Sequence, residues 1–343
     1  MDCAIADGAA LMRAPVGWWL DEAGWLCRAL QPIGAVYGAL TGARMKRTGT
    51  RVEIPVICIG NFVAGGAGKT PTALAIGKML QVQGERIAFL SRGYGGALTS
   101  TTPLQVDPKR HSAAEVGDEP ILLARVAPTF ICTDRVAGAR AAAQAGATIV
   151  ILDDGLQNPH LAKDVSLAVV DGEAGIGNGL CVPAGPLRAP LEAQWPFVDG
   201  LIIIGSGARG ARLAQEAHAR GKFVLHGTLV PDNTNEITDK QLYAFAGIGR
   251  PEKFFRTLND LGGRVSVTQA FADHHAYTAA ELENIRQRAS SNALEPQTLV
   301  TTEKDAIRIP EGALPGLVVL RVALKIDEPQ KLVELIARKI SRG

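Results

Sequence analysis

Residues 54 to 72 read Ile-Pro-Val-Ile-Cys-Ile-Gly-Asn-Phe-Val-Ala-Gly-Gly-Ala-Gly-Lys-Thr-Pro-Thr. The apolar run Val56 to Ile59 stops at Gly60, a glycine-rich loop follows, and Lys69-Thr70 opens a helical stretch. A strand, a loop whose backbone N–H groups can close on phosphate oxygens, and a helix N-terminus with its partial positive charge together suit a triphosphate. The expected cradle is Val63, Ala64, Gly65, Gly66, Ala67, Gly68, Lys69 and Thr70. Lys69 would reach the β- and γ-phosphates of ATP, and the Thr70 hydroxyl would hold Mg²⁺. Val63 stands where the usual pattern has its first glycine. A glycine turn followed by a helix cap is the plain alternative, but the run Gly65 to Thr70 is far more specific than a lone GxGxxG.

Outward from that loop, the chain alternates strands and helices. Strands are expected at 56–60, 87–91, 128–132, 147–152, 166–171, 200–204 and 222–226, with helices at 72–83, 119–126 and 135–145. Continuous apolar runs such as Ala147 to Leu152 suit parallel strands covered on both faces. The class is therefore α/β, a P-loop NTPase-type doubly wound parallel sheet, with ligands at the carboxyl ends of the strands. At those ends lie three further stretches. Ser91-Arg92-Gly93-Tyr94-Gly95-Gly96 reads equally as a phosphate-side loop or a flexible one. In Gly117-Asp118-Glu119-Pro120, Asp118 makes a good helix N-cap. Asp153-Asp154-Gly155 follows a buried strand of the P-loop sheet, as a Walker B metal ligand would; Asp171 is a weaker candidate of the same kind.

The 343 residues leave room for about two domains at ~150 residues each, and a net charge of +2 gives no nucleic-acid footprint. Cys3, Cys27, Cys58, Cys132 and Cys181 are scattered without metal-type spacing, which suits a reducing, cytosolic setting. Residues 226–240 carry turn chemistry (Pro231-Asp232-Asn233-Thr234-Asn235) and read as a linker hairpin. A second, smaller α/β domain is expected over 241–343, closed by a helix at 328–340, after the P-loop domain at 51–225. Within it, Asp273-His274-His275 sits just before a helix opened by the capping box Thr278–Glu281. Two adjacent histidines without a third ligand chelate poorly, so they read as a polar turn or as a pair aimed into a cleft.

Residues 1–50 differ in character. Trp18, Trp19 and Trp25 lie here, and Trp18, Trp25, Ala29, Ile33, Val36 and Leu40 recur at near-helical spacing. Asp21, Glu22, Arg28 and Pro32 interrupt the stretch, so it is neither a signal peptide nor a spanning helix. The basic residues Arg44, Lys46, Arg47 and Arg51 follow. A helix lying in a membrane interface and a helix packed on the domain core fit equally well.

Taken together, the motifs resemble the tetraacyldisaccharide 4'-kinase family, which phosphorylates the lipid A disaccharide precursor. The matching stretches are Gly60-Asn61 with Gly65 to Pro71, Ser91 to Gly95, Gly117 to Pro120 and Asp153-Asp154-Gly155-Leu156-Gln157. Further on come Pro183-Ala184-Gly185-Pro186-Leu187-Arg188, Phe245 to Pro251, Asp273-His274-His275 and Thr302-Glu303-Lys304-Asp305. The resemblance implies transfer from ATP, with Mg²⁺, to the 4'-hydroxyl of a tetraacylated glucosamine disaccharide 1-phosphate in lipopolysaccharide biosynthesis. It implies a peripheral protein at the cytoplasmic face of the bacterial inner membrane, with a lipid substrate, the membrane surface as partner, no nucleic acid and no protein partner. It also tips 1–50 toward a membrane-associating helix. By the same carry-over Asp118 would be the catalytic base, paired with His274, while Asp153 and Asp154 serve metal and phosphates. Asn158 stands where the family commonly has histidine, and Ala189 where an acidic residue often follows the Pro-Leu-Arg motif.

Two rivals share parts of this pattern. A membrane-associated switch ATPase of the partitioning type has an extra lysine before the two glycines, where this chain has Ala64. A GTPase reads guanine with [NT]KxD, but in Thr302-Glu303-Lys304-Asp305 the lysine comes one place late. A nucleotide-binding membrane adaptor is the non-enzymatic reading.

Overall fold

The computed structural model describes residues 16–19, 23–66, 68–290 and 297–341. Residues 1–15 and 20–22 of the N-terminal segment, and Ala67 of the expected phosphate loop, lie outside the described residues.

The apolar runs do form strands. In chain order they are β1 (Val56–Gly60), β2 (Ile87–Ser91), β3 (Leu104–Gln105), β4 (Thr129–Ile131), β5 (Ile149–Asp153), β6 (Val165–Asp171), β7 (Gly200–Ile204) and β8 (Phe223–Pro231). The remainder are β9 (Gln241–Ala246), β10 (Arg264–Ala270), β11 (Thr298–Thr302), β12 (Val318–Leu320) and β13 (Val322–Ile326). The large sheet has the order β13-β8-β7-β6-β1-β5-β2-β4-β3. β1 is flanked by β5 and β6 in parallel register, and Ile59 sits opposite Asp153. The two acidic residues therefore emerge beside the start of the glycine loop, at the carboxyl edge where such sheets bind ligands.

Alternation of side chains divides the sheet's apolar residues between its faces. Val56, Cys58, Val150 and Leu152 pack on one side with Ala139, Ala142 and Leu213. Ile57, Ile59, Ile149 and Ile151 pack on the other with Ala73, Ile76 and Leu80 of the helix Lys69–Val82. Because both faces are covered, the strands are buried along their whole length, as their unbroken apolar sequences require.

The chain divides into two compact units, one of residues 15–230 with 323–343, the other containing 231–322. This differs from the expected 241–343 domain. The closing helix, Pro329–Ile340, buries Leu332, Leu335 and Ile336 on the large sheet, on the same face as the P-loop helix. Its Lys339 also pairs with Asp199 at 2.6 Å. The expected linker hairpin at 226–240 is not a hairpin: its first part continues β8 to Pro231, and a single 3₁₀ turn, Thr234–Glu236, follows. The smaller unit is a four-stranded sheet, β10-β9-β11-β12, with every pairing parallel. The helix Ala279–Ser290 covers the face carrying Tyr243 and Phe245, and Pro251–Asp260 covers the opposite one.

The helix Trp25–Met45 packs the reverse way from an ordinary amphipathic helix. Its buried positions are Cys27, Gly34, Gly38, Gly42 and Met45, while Trp25, Ile33, Val36 and Leu40 stand exposed. The glycines permit backbone contact: a Cβ on Gly34 would lie 2.6 Å from the Cys181 carbonyl oxygen, and one on Gly38 would lie 2.6 Å from Cys181 Sγ. Trp18 and Trp19 do not join Trp25 on the exposed side. Trp18 Nε1 donates to the Pro183 carbonyl (3.0 Å), and Trp19 packs against the large core. Among the described residues no helix is long and apolar enough to cross a membrane.

Overpacking the glycine face should undock this helix. Gly34→Leu is expected to cost about 1–3 kcal/mol, whereas Ile33→Gln and Val36→Gln should stay within about 0.5 kcal/mol. Urea midpoints measure all three. An unchanged midpoint for Gly34→Leu would refute docking through the glycines.

Candidate active site

The glycine loop is anchored at one end and open at the other. On the anchored side, Ala64 N–H donates to Pro186 O (2.7 Å) and Arg188 N–H donates to Phe62 O (2.9 Å). Val63 also bridges to Leu187. On the open side, Gly65 and Gly66 are exposed, and a Cβ on either would meet nothing within 4 Å. Gly65 (φ 106°) and Gly68 (φ 88°) adopt conformations that L side chains rarely take, and Gly68 is the N-cap of the helix beginning at Lys69. The free space lies in front of Gly65 and Gly66, where phosphate would enter. Val63 and Ala64 form the anchored flank.

Lys69, Asp154 and Arg188 form the charged centre. Arg188 grips Asp154 with both terminal nitrogens (2.7 and 2.8 Å) and donates through Nε to the Val63 carbonyl (3.1 Å). Lys69 Nζ lies 3.7 Å from the same carboxylate and 3.4 Å from the Gly65 carbonyl. Burial by itself would raise the Asp154 carboxyl, but Lys69 and Arg188 together outweigh it and hold the group below the ordinary carboxylate value. Burial pushes the Lys69 ammonium down, Asp154 counteracts and Arg188 reinforces; Asp153 and Glu119 also act on it. Asp154 takes a left-handed backbone (φ 57°), with its N–H bonded to Ile59 O at 2.8 Å.

Amides brace this centre from below. Gln157 Nε2 donates to Asn61 O and to Gln194 Oε1, both at 2.8 Å, and Asn61 Nδ2 donates to Gly65 O (3.0 Å). Gln194, fully buried, donates to Ala189 O (2.7 Å) and Phe62 O (3.3 Å). Lys163 Nζ reaches the carbonyls of Leu156 and Asn158 and so ties down the loop after Asp154. At the divergent positions, Asn158 closes a local turn through the N–H groups of His160 and Leu161, and Ala189 is buried. Nearby Glu192 is committed to Arg220 at 2.6 Å.

Asp118 is buried and is the first residue of the helix Asp118–Ala124, whose N-cap is Gly117. Asp118 is therefore not the cap that the sequence suggested. The loop after β2 is braced too, since Ala97 N–H and Leu98 N–H bond to Ala114 O and Glu115 O. A Cβ on Gly117 would lie 2.7 Å from the Tyr94 carbonyl. Arg135, also buried, donates to the carbonyls of Ser91 and Cys132 at the ends of β2 and β4. Burial, with Arg92 nearby, lowers its guanidinium to about 10. His274 belongs to the smaller unit, in a left-handed conformation (φ 58°) with Asp273 at 3.9 Å.

Of the expected residues, the larger unit brings together Lys69, Thr70, Asp153 and Asp154 with the described part of the loop. Sequence reading missed the clamp by Arg188 and the amide brace of Asn61, Gln157 and Gln194. Arg188 stood in a quoted motif, but its partners Val63 and Asp154 are remote in sequence. Thr70 and Asp153 offer hard oxygen donors, both buried, suited to Mg²⁺. That ion takes one or two carboxylates plus substrate phosphates rather than an all-protein cage. Among the described residues no group of three or more His, Cys, Asp or Glu forms such a cage.

The family described as tetraacyldisaccharide-1-P 4'-kinase matches residues 26–341. The chain belongs to that family. A tetraacyldisaccharide 4'-kinase of Methylobacterium sp. (strain 4-46) is 52% identical over 319 residues, 92% of this chain and 95% of that protein. One from Rhodopseudomonas palustris (strain BisB5) is 46% identical over 337 residues, 97% and 98% of the two chains. A crystal structure of LpxK from Aquifex aeolicus in complex with ATP shares the fold, with a TM-score of 0.71 at 24% identity over 92% of this chain and 99% of that one. The chain is thus a kinase with a hydroxyl acceptor, and the rival switch and adaptor readings fall away.

The clamp predicts a pH response for this kinase. A carboxyl depressed by folding adds stability above its unfolded value of about 3.9, and that stability is lost as pH falls through the lower folded value. Arg188→Met removes one of the two cations, so the folded value rises and acid unfolding should begin at higher pH. A circular-dichroism acid titration reads the midpoint. A midpoint identical to that of the parent would mean that Arg188 does not hold Asp154.

Proposed function

We propose that the chain transfers the γ-phosphoryl group of ATP to the 4'-hydroxyl of a tetraacylated glucosamine disaccharide 1-phosphate, a step of lipid A synthesis, at a membrane surface. The reading is carried by one observation: in a member of this family, Lys69 and Asp154 meet at the mouth of an open glycine loop. Phosphoryl transfer needs positioning and charge neutralisation more than covalent chemistry from the protein. The N–H groups around Gly65 and Gly66 and the helix N-terminus hold phosphate oxygens, and Lys69 neutralises the β- and γ-phosphates. Thr70 and Asp153, with Asp154 beside them, would hold Mg²⁺, which neutralises charge developing on the phosphates when bound. Arg188 keeps Asp154 ionised and aligned.

The acceptor proton goes to Asp118, with His274 as its partner. Asp118 is buried at the start of a helix of the larger unit, and His274 stands in a strained turn of the smaller one. The membrane is met by the helix Trp25–Met45. Its exposed Trp25, Ile33, Val36 and Leu40 form an apolar face, and the exposed Arg44, Lys46 and Arg47 lie at its end. Apolar burial plus attraction to anionic lipid gives interfacial binding, and the family resemblance is what assigns it to the cytoplasmic face of the inner membrane.

The decisive assay is transfer of labelled phosphate from ATP to the disaccharide lipid. Lys69→Ala should lower turnover by at least about 100-fold while the protein stays folded. Near-normal turnover would remove the P-loop assignment, and ATP hydrolysis without lipid labelling in the parent would remove the acceptor.

A second expectation concerns the base. Asp118→Ala and His274→Ala should each lower kcat with little effect on ATP affinity, and the double variant should be little worse than the weaker single, because groups acting as a unit are non-additive. Multiplicative losses would separate the two residues.

For the membrane, replacing Trp25, Ile33, Val36 and Leu40 with serine should weaken binding to anionic liposomes at unchanged thermal midpoint. Unaltered liposome binding would assign that face some other role.

A further inference from the structure

In the smaller unit, three adjacent parallel strands deliver loops at their carboxyl ends: β10 leads to His274, β9 to Gly247, and β11 to Thr302-Glu303-Lys304-Asp305. Asp305 is fully buried. Its Oδ1 accepts from Gly247 N–H (2.8 Å), the Tyr277 hydroxyl (2.8 Å) and Arg308 Nη1 (3.1 Å), and its Oδ2 accepts from the Thr302 hydroxyl (2.6 Å). Capping of the short helix Glu303–Ala306 by Thr302 explains the bond from Asp305 N–H to the Thr302 hydroxyl, but not the grip on a neighbouring strand's loop. The Gly247 peptide is held at its other end as well, for its carbonyl accepts from Arg308 Nη1 (3.0 Å) and from His274 N–H (3.1 Å). There is no slack around it, since a Cβ on Gly247 would lie 2.9 Å from Ala272 O and 3.0 Å from His275 Cβ.

The two histidines of the motif are used differently. His275 stacks on Phe271 (4.7 Å between ring centres), and its Nε2 lies 3.0 Å from Glu281, so packing accounts for it. His274 instead takes a left-handed backbone, a conformation that a non-glycine residue keeps only where its surroundings over-determine it. Those surroundings run from Asp305 through Gly247.

We infer that Asp305 is a positioning residue: through the Gly247 peptide it fixes the left-handed turn that presents the His274 imidazole for phosphoryl transfer. A buried carboxylate with four donors, an arginine among them, is a stiff anchor, because losing any partner leaves a polar group unsatisfied in low dielectric. The inference rests on the reading of His274 as partner of the base.

The test uses the full chain carrying Asp305→Asn, alone and with His274→Ala. Asp305→Asn keeps the shape but loses the charge and places an amide where donors converge. Turnover is read with ATP and the disaccharide lipid, and the backbone of His274 by its Cα and Cβ shifts in histidine-labelled protein. The expected result is a kcat lowered by about 10- to 100-fold, an unchanged KM for ATP, a displaced His274 resonance, and no further loss in the His274→Ala background. Tyr277→Phe removes a single donor, keeps the ring, and should act in the same direction more weakly; it carries the test if Asp305→Asn does not fold. An unmoved His274 resonance, or an equal loss of kcat in both backgrounds, overturns the positioning role. Normal turnover in His274→Ala overturns the base reading instead, and the resonance then still decides whether Asp305 sets the turn.

Discussion

The two-pronged contact between the Arg188 guanidinium and the Asp154 carboxylate is what the larger unit's active edge depends on. Planar bidentate pairing fixes direction as well as distance, and the third bond, from Nε to the Val63 carbonyl, extends it to the phosphate loop. Three segments that the chain keeps far apart are joined in one side chain. The clamp is set in Cys181 to Gln194, which also supplies the floor for the glycine face of the helix Trp25–Met45. Cys181 and Pro190 are therefore a few residues along the chain from Arg188, whose hydrogen bonds to Phe62 and Val63 reach the loop proposed to take phosphate.

Charge compensation explains why two cations attend one carboxylate. Lys69 has Asp154 within 3.7 Å, but its proposed task in transfer is to face the phosphates. If it were the sole partner, its move toward the nucleotide would strand a partly buried anion, and breaking a pair in that way is costly. Arg188 removes the conflict by keeping Asp154 compensated while Lys69 is engaged elsewhere. Asp153 is buried at the end of β5, where pairing with β1 opposite Ile59 fixes its backbone.

How legible each part was in the sequence follows from how local its physics is. The glycine loop and the acidic pair were readable because strand, turn and helix start lie within a few residues of one another. Arg188 was visible as a motif yet mute as to role, since its partners are more than thirty residues away. The return of the chain to the large sheet was hidden for a related reason. β12 and β13 are separated only by Arg321, and nothing local signals that the second of them pairs with β8. The capping reading of Asp118 failed because Gly117, with a positive φ, takes the cap position and places the carboxylate inside the helix's first turn.

The helix Trp25–Met45 shows why periodicity could not choose between core and membrane. Spacing identifies a face, but burial depends on what the opposite face can offer. Here Gly34, Gly38 and Gly42 let the backbone approach Cys181, Pro190 and Ala193 so closely that the small residues carry the docking. Such contact gains dispersion through proximity rather than through bulk. The large side chains are then left outward, where they add nothing to the fold's own stability. A contiguous apolar face of that kind, flanked by Arg44, Lys46 and Arg47, is a cost in water that a monomer's packing does not offset. The proposed contact with a lipid surface would offset that cost, because it removes the same side chains from water.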